Sequence, residues 1–288
     1  MPFPVSPMLL STRLAIRYVS ELTISLAKKK EKIVSFVREQ VSQAGARGVV
    51  VGVSGGVDSA LTLALCVEAL GPAGVVALLM PDSRVTPEED TADALELVNG
   101  LKVSHMLTDI AGVHSAFMRS LPEDKLAEGN LRARIRMCFL YYVANHTSSL
   151  VAGTSDKSEL EISYFTKYGD GAADVLPIGD LFKTEVVALA KMMGISPKIV
   201  EKPSSPRLWA GQTAKEELGA DYETIDRVLR ILDATAKPDS GAIAKRLDLD
   251  LLTVKLVVNR VVGYRHKREL PRVCSFSDSD DSGKTYFS

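Results

Sequence analysis

The chain has 288 residues, of which 46% are hydrophobic and 25% charged, so it can bury the core of one large domain. Its 35 Lys and Arg residues are balanced by 36 Asp and Glu residues, which argues against a general nucleic-acid or anionic-membrane binder. The three cysteines are scattered and lack metal-ligand spacing. We expect a cytoplasmic protein, because we find no apolar stretch long enough to span a bilayer and no secretion signal.

Strands and helices alternate along the first half of the chain. The β-branched run at residues 49–53 is typical of a strand buried in a parallel sheet. Further strands are expected at residues 75–79, 102–107 and 150–152, and helices at residues 22–43, 60–70, 86–100 and 130–145. The alternation predicts an α/β fold, a three-layer doubly wound parallel sheet with helices on both faces.

The second half adds helices rather than strands. A Gly- and Asp-rich loop is expected at residues 169–174, an irregular stretch at residues 203–209, and helices at residues 184–193, 222–236 and 249–264. These last helices are extra C-terminal elements. We expect one domain over residues 1–274, whose first 20 or so residues could form an arm, and a disordered tail at residues 275–288.

The strongest functional signal is an octet between the first buried strand and the following helix: Gly52, Val53, Ser54, Gly55, Gly56, Val57, Asp58 and Ser59. Adjacent glycines permit a tight turn in which backbone N–H groups approach an anion. The two serines add hydroxyl donors, and the helix directs its positive end to the same place. The octet is neither a Walker A loop nor a GxGxxG fingerprint. The alternative is an ordinary strand-to-helix turn.

This octet resembles the pyrophosphate loop of the N-type ATP pyrophosphatases, which cleave ATP between its α- and β-phosphates. Asp58 would meet a polyphosphate only through a cation, because like charges repel, so Mg²⁺ is expected beside it. A carboxylate at a helix N-terminus can also serve the helix dipole alone.

Other segments are similar to the ammonia-dependent NAD synthetase family, in family order from about residue 25 to 272: residues 130–137, 153–159, 164–171, 173–174, 177–183 and 266–268. The FTKYGDG segment within them is far more specific than SGGVDS. The resemblance implies ATP-dependent amidation of deamido-NAD by ammonia through an adenylated carboxylate, with release of AMP and pyrophosphate, in a homodimer. Nothing before residue 20 supplies a glutaminase domain, so free ammonia is the expected nitrogen donor.

The resemblance also assigns site residues. ATP is expected to contact the octet Gly52 to Ser59 together with Thr154, Lys183 and Ser204, and Mg²⁺ is expected to bind Asp58 and Glu159. Deamido-NAD is expected to contact Arg134, Lys167, Asp174, His266 and Lys267, the last two across a dimer interface. The expected catalytic residues are Asp58, Asp174 and Lys183. We also expect Asp174 to help deprotonate the incoming amine. Ser204 stands where many members carry Thr, which keeps the hydroxyl and loses the methyl.

Each assignment has a simpler alternative. Lys183 could be an exposed lysine in a first helical turn, a poor place for positive charge, and Arg134 and His266 could be solvated. Trp209 is interpreted as a packing anchor, and Cys66 and Cys138 as core residues.

Competing functions also stay open. One is another amidating or thiolating ligase with the same loop, such as a GMP synthetase-like or tRNA-modifying enzyme, and another is a non-catalytic nucleotide-binding module. A tRNA enzyme should show a basic face, and a thiolase should show reactive cysteines.

Overall fold

A computed structural model describes residues 7–209, 211–235, 239–271 and 273–274, with side chains from Thr23 onward. The tail expected at residues 275–288 lies outside the described residues. Within them, a single parallel sheet has the strand order β3-β2-β1-β4, where β1 is Val49–Gly52, β2 Val75–Leu79, β3 Ser104–Leu107 and β4 Leu150–Ala152. Val49 pairs with Val75 on one side and with Leu150 on the other.

The strand order changes direction at β1, since β2 and β3 lie on one side of it and β4 on the other. At such a switch point the connections leave toward opposite faces of the sheet, and a crevice opens outside the carboxyl ends of the strands. An isolated parallel bridge between Ala152 and Val175 extends the sheet beyond β4.

The helices follow the expected alternation and then continue past the sheet. In chain order they are α1 Pro7–Gln43, α2 Val57–Leu70, α3 Glu88–Gly100, α4 Ala111–Met118, α5 Lys125–Thr147, α6 Lys157–Glu161, α7 Lys183–Met192, α8 Pro197–Val200, α9 Ala214–Leu218, α10 Tyr222–Asp233, α11 Ser240–Leu247 and α12 Leu251–Gly263. None of the described helices is both long and apolar enough to cross a membrane.

Side chains of β1 alternate between two cores. Val49 and Val51 pack with residues of α1, α2 and α7, whereas Val50 packs on the opposite face with residues of α5. Because both faces of the strand are covered, every position favours an apolar β-branched residue. This arrangement confirms the three-layer prediction. A third core joins α10, α11 and α12, and α10 packs against α6 and α7.

The structure corrects several boundaries. Helix α1 begins at Pro7 rather than at residue 22, and β3 begins at Ser104 rather than at residue 102. The unpredicted helices α4, α6, α8, α9 and α11 have at most 8 residues each, too few for a clear hydrophobic period. The interpretation of Cys138 as a core residue is wrong, because its side chain is exposed, while Cys66 is buried as expected.

Candidate active site

The octet forms the turn between β1 and α2. Gly55 has φ +81°, and a Cβ at this position would lie 2.2 Å from the carbonyl oxygen of Asp90. Only glycine meets both conditions without strain. Gly56 caps α2 without a side-chain hydrogen bond to the helix, so the first N–H groups of α2 have no capping side chain. This is the arrangement in which a helix N-terminus binds an anion.

The two serines of the loop differ in what they offer a ligand. Ser59 Oγ accepts from the Ser54 N–H at 3.2 Å and donates to the Gly56 carbonyl at 2.9 Å, so its buried hydroxyl shapes the loop. Ser54 is exposed, and its Oγ accepts from the Gly56 N–H at 3.3 Å. Its proton can go to Ser59 Oγ, 3.2 Å away, or to a bound anion. The hydroxyl donor expected from both serines is therefore available from Ser54.

Lys183 begins α7 and is buried, with only 3% of its side chain exposed. Its Nζ lies 2.7 Å from Asp58 Oδ1, 2.9 Å from Asp156 Oδ2 and 2.9 Å from Glu159 Oε1. The alternative of an exposed first-turn lysine is therefore wrong. The unfavourable position of its charge at a helix N-terminus is offset by three carboxylates, which leave the cluster with an excess of negative charge.

Burial and mutual contact shift the pKa values of Asp156, Glu159 and Lys183. Burial raises the pKa of the Asp156 carboxyl to about 6 although the Lys183 ammonium opposes the shift. Burial likewise raises the pKa of Glu159 well above its usual value. For Lys183, burial acts to lower the pKa, but the surrounding carboxylates outweigh it and hold the pKa well above the usual value. The cluster therefore favours any additional positive charge.

A cavity of about 660 Å³ runs along the carboxyl edge of the sheet, within the range of ligand sites. It brings together residues that the sequence assigned to ATP, metal and deamido-NAD. Those on its wall are Gly52, Val53, Ser54, Asp58, Ser59, Thr154, Glu159, Ser204 and Lys267.

A segment of irregular structure, residues 202–209, forms part of the cavity wall and carries Ser204. Lys202 Nζ lies 2.7 Å from Asp90 Oδ1, and Arg207 Nε lies 2.9 Å from Asp90 Oδ2. Asp90 is buried, and its carbonyl is the atom next to Gly55. Asp90 thus links this segment, through its carboxylate, to the anion-binding loop, which its backbone carbonyl approaches.

Residues assigned to deamido-NAD form a connected group beside the cavity. Lys267 lines it, and its Nζ lies over the ring of Phe165 and donates to the Ser163 carbonyl at 2.8 Å. Lys167 Nζ donates to the His266 carbonyl at 2.5 Å, and Arg134 Nε donates to the Lys167 carbonyl at 3.4 Å.

Within this group, Arg134, Lys167 and His266 are not on the cavity wall, and the side chains of Arg134 and His266 are exposed. Their roles stay predictions.

Asp174 lies next to β4 and is not on the cavity wall. Its Oδ2 accepts from the Val151 N–H at 2.7 Å, and its Oδ1 accepts from the Tyr141 hydroxyl at 3.2 Å. The structure therefore does not bring Asp174 to the Lys183 cluster, and its part in substrate binding and proton transfer stays a prediction.

Sequence reasoning missed Asp156 and Tyr222. Asp156 caps α6, where its Oδ1 accepts from the Glu159 N–H at 2.8 Å, and its other oxygen contacts Lys183. An acidic residue just after β4 was a usable signal, since the carboxyl ends of parallel strands meet at one edge. Tyr222, the first residue of α10, lines the cavity, and no local pattern marked it.

The oxygen donors of the cluster show whether these residues could hold Mg²⁺. Asp58 and Glu159 line the cavity and are partly exposed, at 23% and 21% of their side chains. Their oxygens are the hard ligands that Mg²⁺ prefers, and the cluster has excess negative charge. Among the described residues, no three His, Cys, Asp or Glu side chains form a ready-made metal set. The residues fit an ion that takes its remaining ligands from phosphate and water.

The switch-point cavity, the anion-binding loop and the buried lysine among carboxylates define an α/β protein that binds a nucleotide phosphate. The family model for NAD synthase matches residues 29–271. The chain belongs to the NAD synthase family, as the sequence resemblance predicted.

Individual relatives agree with this assignment. The NH(3)-dependent NAD(+) synthetase of Hyperthermus butylicus is 50% identical over 242 residues, which cover 83% of this chain and 87% of that protein. The corresponding protein of Archaeoglobus fulgidus is 44% identical over 256 residues, covering 88% of this chain and 99% of its own.

Solved structures extend the comparison to the fold. An NMN synthetase from Francisella tularensis superposes with a TM-score of 0.75 at 34% identity, covering 87% of this chain and 99% of its own. The NH3-dependent NAD synthetase from Campylobacter jejuni, in complex with the nitrate ion, gives a TM-score of 0.74 at 34% identity, with the same coverage.

Proposed function

We propose that the protein is an ammonia-dependent NAD synthetase, which amidates deamido-NAD to NAD and converts ATP to AMP and pyrophosphate. The names of its similar relatives and its family support this function. The structural observation that carries it is the contact between Asp58, at the end of the anion-binding loop, and the buried Lys183. A generic strand-to-helix turn has no need of such a partner.

In the first step, an oxygen of the nicotinate carboxylate attacks the α-phosphorus of ATP. The bond from this phosphorus to the bridging oxygen of the β-phosphate breaks, and pyrophosphate leaves with the electron pair. The N–H groups of the loop, the Ser54 hydroxyl and the Lys183 ammonium stabilise the charge that grows on the leaving group. Positioning and electrostatics suffice, and no protein nucleophile is required.

In the second step, ammonia attacks the acyl carbon of the mixed anhydride. The acyl–oxygen bond to AMP breaks, AMP leaves, and the nitrogen loses one proton to give the amide. Asp174 is our proposed acceptor of that proton. Its carboxylate is oriented by the Val151 N–H and the Tyr141 hydroxyl, which supports a fixed role for it.

A phosphate oxygen that binds Lys183 must enter among the carboxylates that enclose its ammonium. The ammonium donates hydrogen bonds to Asp58 and Glu159, and Asp156 Oδ2 lies 2.9 Å away without a hydrogen bond. A bound phosphate oxygen therefore competes with these carboxylates for the charge and the N–H donors of Lys183. We propose that Asp58 and Glu159 are released to hold Mg²⁺, which when bound neutralises phosphate charge and polarises the phosphoryl group.

We also propose that the protein is a homodimer. Exposed apolar side chains on and near α4 and α5 support a contact surface there: Val113, Phe117, Leu121, Leu126 and Tyr142. Light scattering after size exclusion checks the mass, and a monomer at micromolar concentration would contradict the proposal. The expected contribution of His266 and Lys267 across a dimer interface and the cytoplasmic location stay predictions.

The reaction itself is tested by incubating the protein with ATP, Mg²⁺, ammonium chloride and deamido-NAD, and measuring NAD, AMP and pyrophosphate. We expect the three products in equal amounts, with little NAD when glutamine replaces ammonia. Because one structural relative is an NMN synthetase, a parallel reaction contains nicotinate mononucleotide. A higher kcat/KM for the mononucleotide than for deamido-NAD would identify the mononucleotide as the substrate instead. ATP consumption without formation of an amide from either compound would contradict both substrates.

A further inference from the structure

Tyr222, at the start of α10, contacts Lys183 through its aromatic ring. The Nζ of Lys183 lies 4.9 Å from the centroid of the Tyr222 ring, within the distance of a cation–π contact. Among the described residues, the buried hydroxyl of Tyr222 has no hydrogen-bond partner. The link between Tyr222 and the cluster therefore runs through the ring.

The same helix also holds the backbone of Lys183. Asp226, one turn after Tyr222 on α10, is buried; its Oδ1 accepts from the Ser158 hydroxyl at 2.5 Å and its Oδ2 from the Thr184 N–H at 2.9 Å. The Ser158 oxygen in turn accepts from the Lys183 N–H at 2.9 Å. Helix α10 thus fixes the start of α7 through Asp226 and contacts the ammonium through Tyr222.

The two kinds of contact respond differently to a ligand. The Lys183 ammonium donates hydrogen bonds to Asp58 and Glu159, and the proposed release of these carboxylates to Mg²⁺ ends those bonds. The face of an aromatic ring attracts the charge of the ammonium without accepting a particular N–H. This attraction therefore persists while the hydrogen-bond partners change, and it keeps Nζ beside the cavity during the exchange.

We propose that Tyr222 is a positioning residue whose ring holds the Lys183 ammonium in place as its carboxylate partners are replaced by the leaving pyrophosphate. The proposal deepens the proposed function and, for its effect on turnover, rests on it. In this proposal the aromatic ring of Tyr222 positions the ammonium, and its hydroxyl takes no part.

Two variants separate the ring from the hydroxyl. Tyr222→Phe keeps the ring and should retain kcat within about threefold, whereas Tyr222→Leu should lower kcat roughly tenfold, with a smaller change in KM for ATP. Circular dichroism and the melting temperature establish that both variants are folded. A loss in Tyr222→Phe as large as in Tyr222→Leu would overturn the proposal, because the hydroxyl would then be the active group.

A double-mutant cycle tests whether Tyr222 acts through Lys183. In a Lys183→Met background, Tyr222→Leu should cause no further loss of kcat in single-turnover reactions, since the positioned group is absent. A second roughly tenfold loss in that background would show a general structural role and overturn the proposal.

A readout without turnover keeps this test independent of the proposed reaction. Trace acetylation of the free protein, followed by mass spectrometry of the Lys183 peptide, measures access to Nζ. We expect several-fold faster labelling in Tyr222→Leu and unchanged labelling in Tyr222→Phe. Equal labelling in both variants and the unmodified chain would overturn the positioning role, even if no NAD were formed. An inactive unmodified chain with the expected labelling pattern would instead contradict the proposed function alone.

Discussion

The Nζ of Lys183 lies 2.7 Å from Oδ1 of Asp58, although 125 positions separate the two residues in the chain. Asp58 lies in the first turn of α2, directly behind the anion-binding loop, and Lys183 begins α7. The ion pair therefore joins the loop to the cluster that we propose stabilises the leaving pyrophosphate. Substitution of either Lys183 or Asp58 tests the role of this ion pair.

Removing the ammonium should affect both turnover and cation binding. We expect Lys183→Met to lower kcat for NAD formation by about 10²–10³-fold, because one preorganised charge contact at the leaving group is lost. The variant should also bind Mn²⁺ without nucleotide, since the carboxylates of Asp58, Asp156 and Glu159 lose their shared cation. Calorimetric titration measures the binding. Lys183→Arg keeps the charge and serves as control, and an unchanged kcat in Lys183→Met would contradict the proposed role.

Removing the carboxylate of the pair should stop ATP turnover while the fold persists. In Asp58→Ala we expect pyrophosphate release to fall by at least about 10²-fold, because the proposed metal ligand at the end of the loop is gone. Glu68→Ala on the same helix, where Glu68 pairs with Lys30 near the surface, is the matched control. A coupled phosphate assay follows the release, and ATP consumption equal to that of the control would remove the metal-site assignment.

The loop should tolerate no side chain at Gly55. A Cβ there would lie 2.2 Å from the Asp90 carbonyl, in addition to the strain of φ +81°. Gly194 has a similar φ of +74° with no atom within 4 Å of its Cβ position, so Gly194→Ala carries the strain of a positive φ without the clash. We expect Gly55→Ala to lower the free energy of unfolding by at least about 1 kcal/mol more than Gly194→Ala. Urea denaturation measures both, and equal losses would contradict the close approach.

The proposed proton acceptor can be tested at saturating ammonia. Asp174→Asn keeps one acceptor oxygen and should lower kcat by roughly 10²-fold if the carboxylate takes the proton. Tyr141→Phe removes only the hydrogen bond to Asp174 Oδ1 and should have a smaller effect. Steady-state kinetics in ammonium buffers give both values. Full turnover by Asp174→Asn would exclude the proton-transfer role and leave only substrate binding.

Cysteine chemistry tests the packing of α2 and α5. Burial raises the pKa of the Cys66 thiol to about 12, so little thiolate is present at neutral or mildly alkaline pH. We expect iodoacetamide at pH 8 to modify the exposed Cys138 in the native protein and to leave Cys66 unmodified. Mass spectrometry locates the label, and the denatured protein provides the control in which both react. Labelling of native Cys66 as fast as Cys138 would contradict the buried position.

The sheet could be predicted from the sequence because its strands are buried on both faces. Residues 49–53 and 75–79 are rich in apolar residues, and the structure confirms both strands, with β1 ending at Gly52, one residue earlier than predicted. Strand β3 was placed less well, since all four of its residues are exposed at the edge and form no such apolar segment. Helices as short as α6 and α9 depend on their caps and packing rather than on a hydrophobic period.

Only those site residues that lie within a recognisable sequence motif could be predicted. The octet and the family segments gave the cavity residues of the ATP side, but the burial of Lys183 depends on Asp156 and Glu159, which come from α6 and its cap. Tyr222 reaches the cluster because α10 packs against α6 and α7, a tertiary contact that no local pattern encodes. The family motif assigned Asp174 a role that its position beside β4 does not by itself reveal.

A crystal structure of the protein with Mg²⁺ and a non-hydrolysable ATP analogue tests the central claim most directly. We expect the β- and γ-phosphates to contact the N–H groups of the loop around Gly55 and Gly56, with Nζ of Lys183 within hydrogen-bond distance of a phosphate oxygen. Phosphates bound elsewhere in the cavity, with the loop free of ligand and Lys183 still enclosed by its three carboxylates, would contradict it.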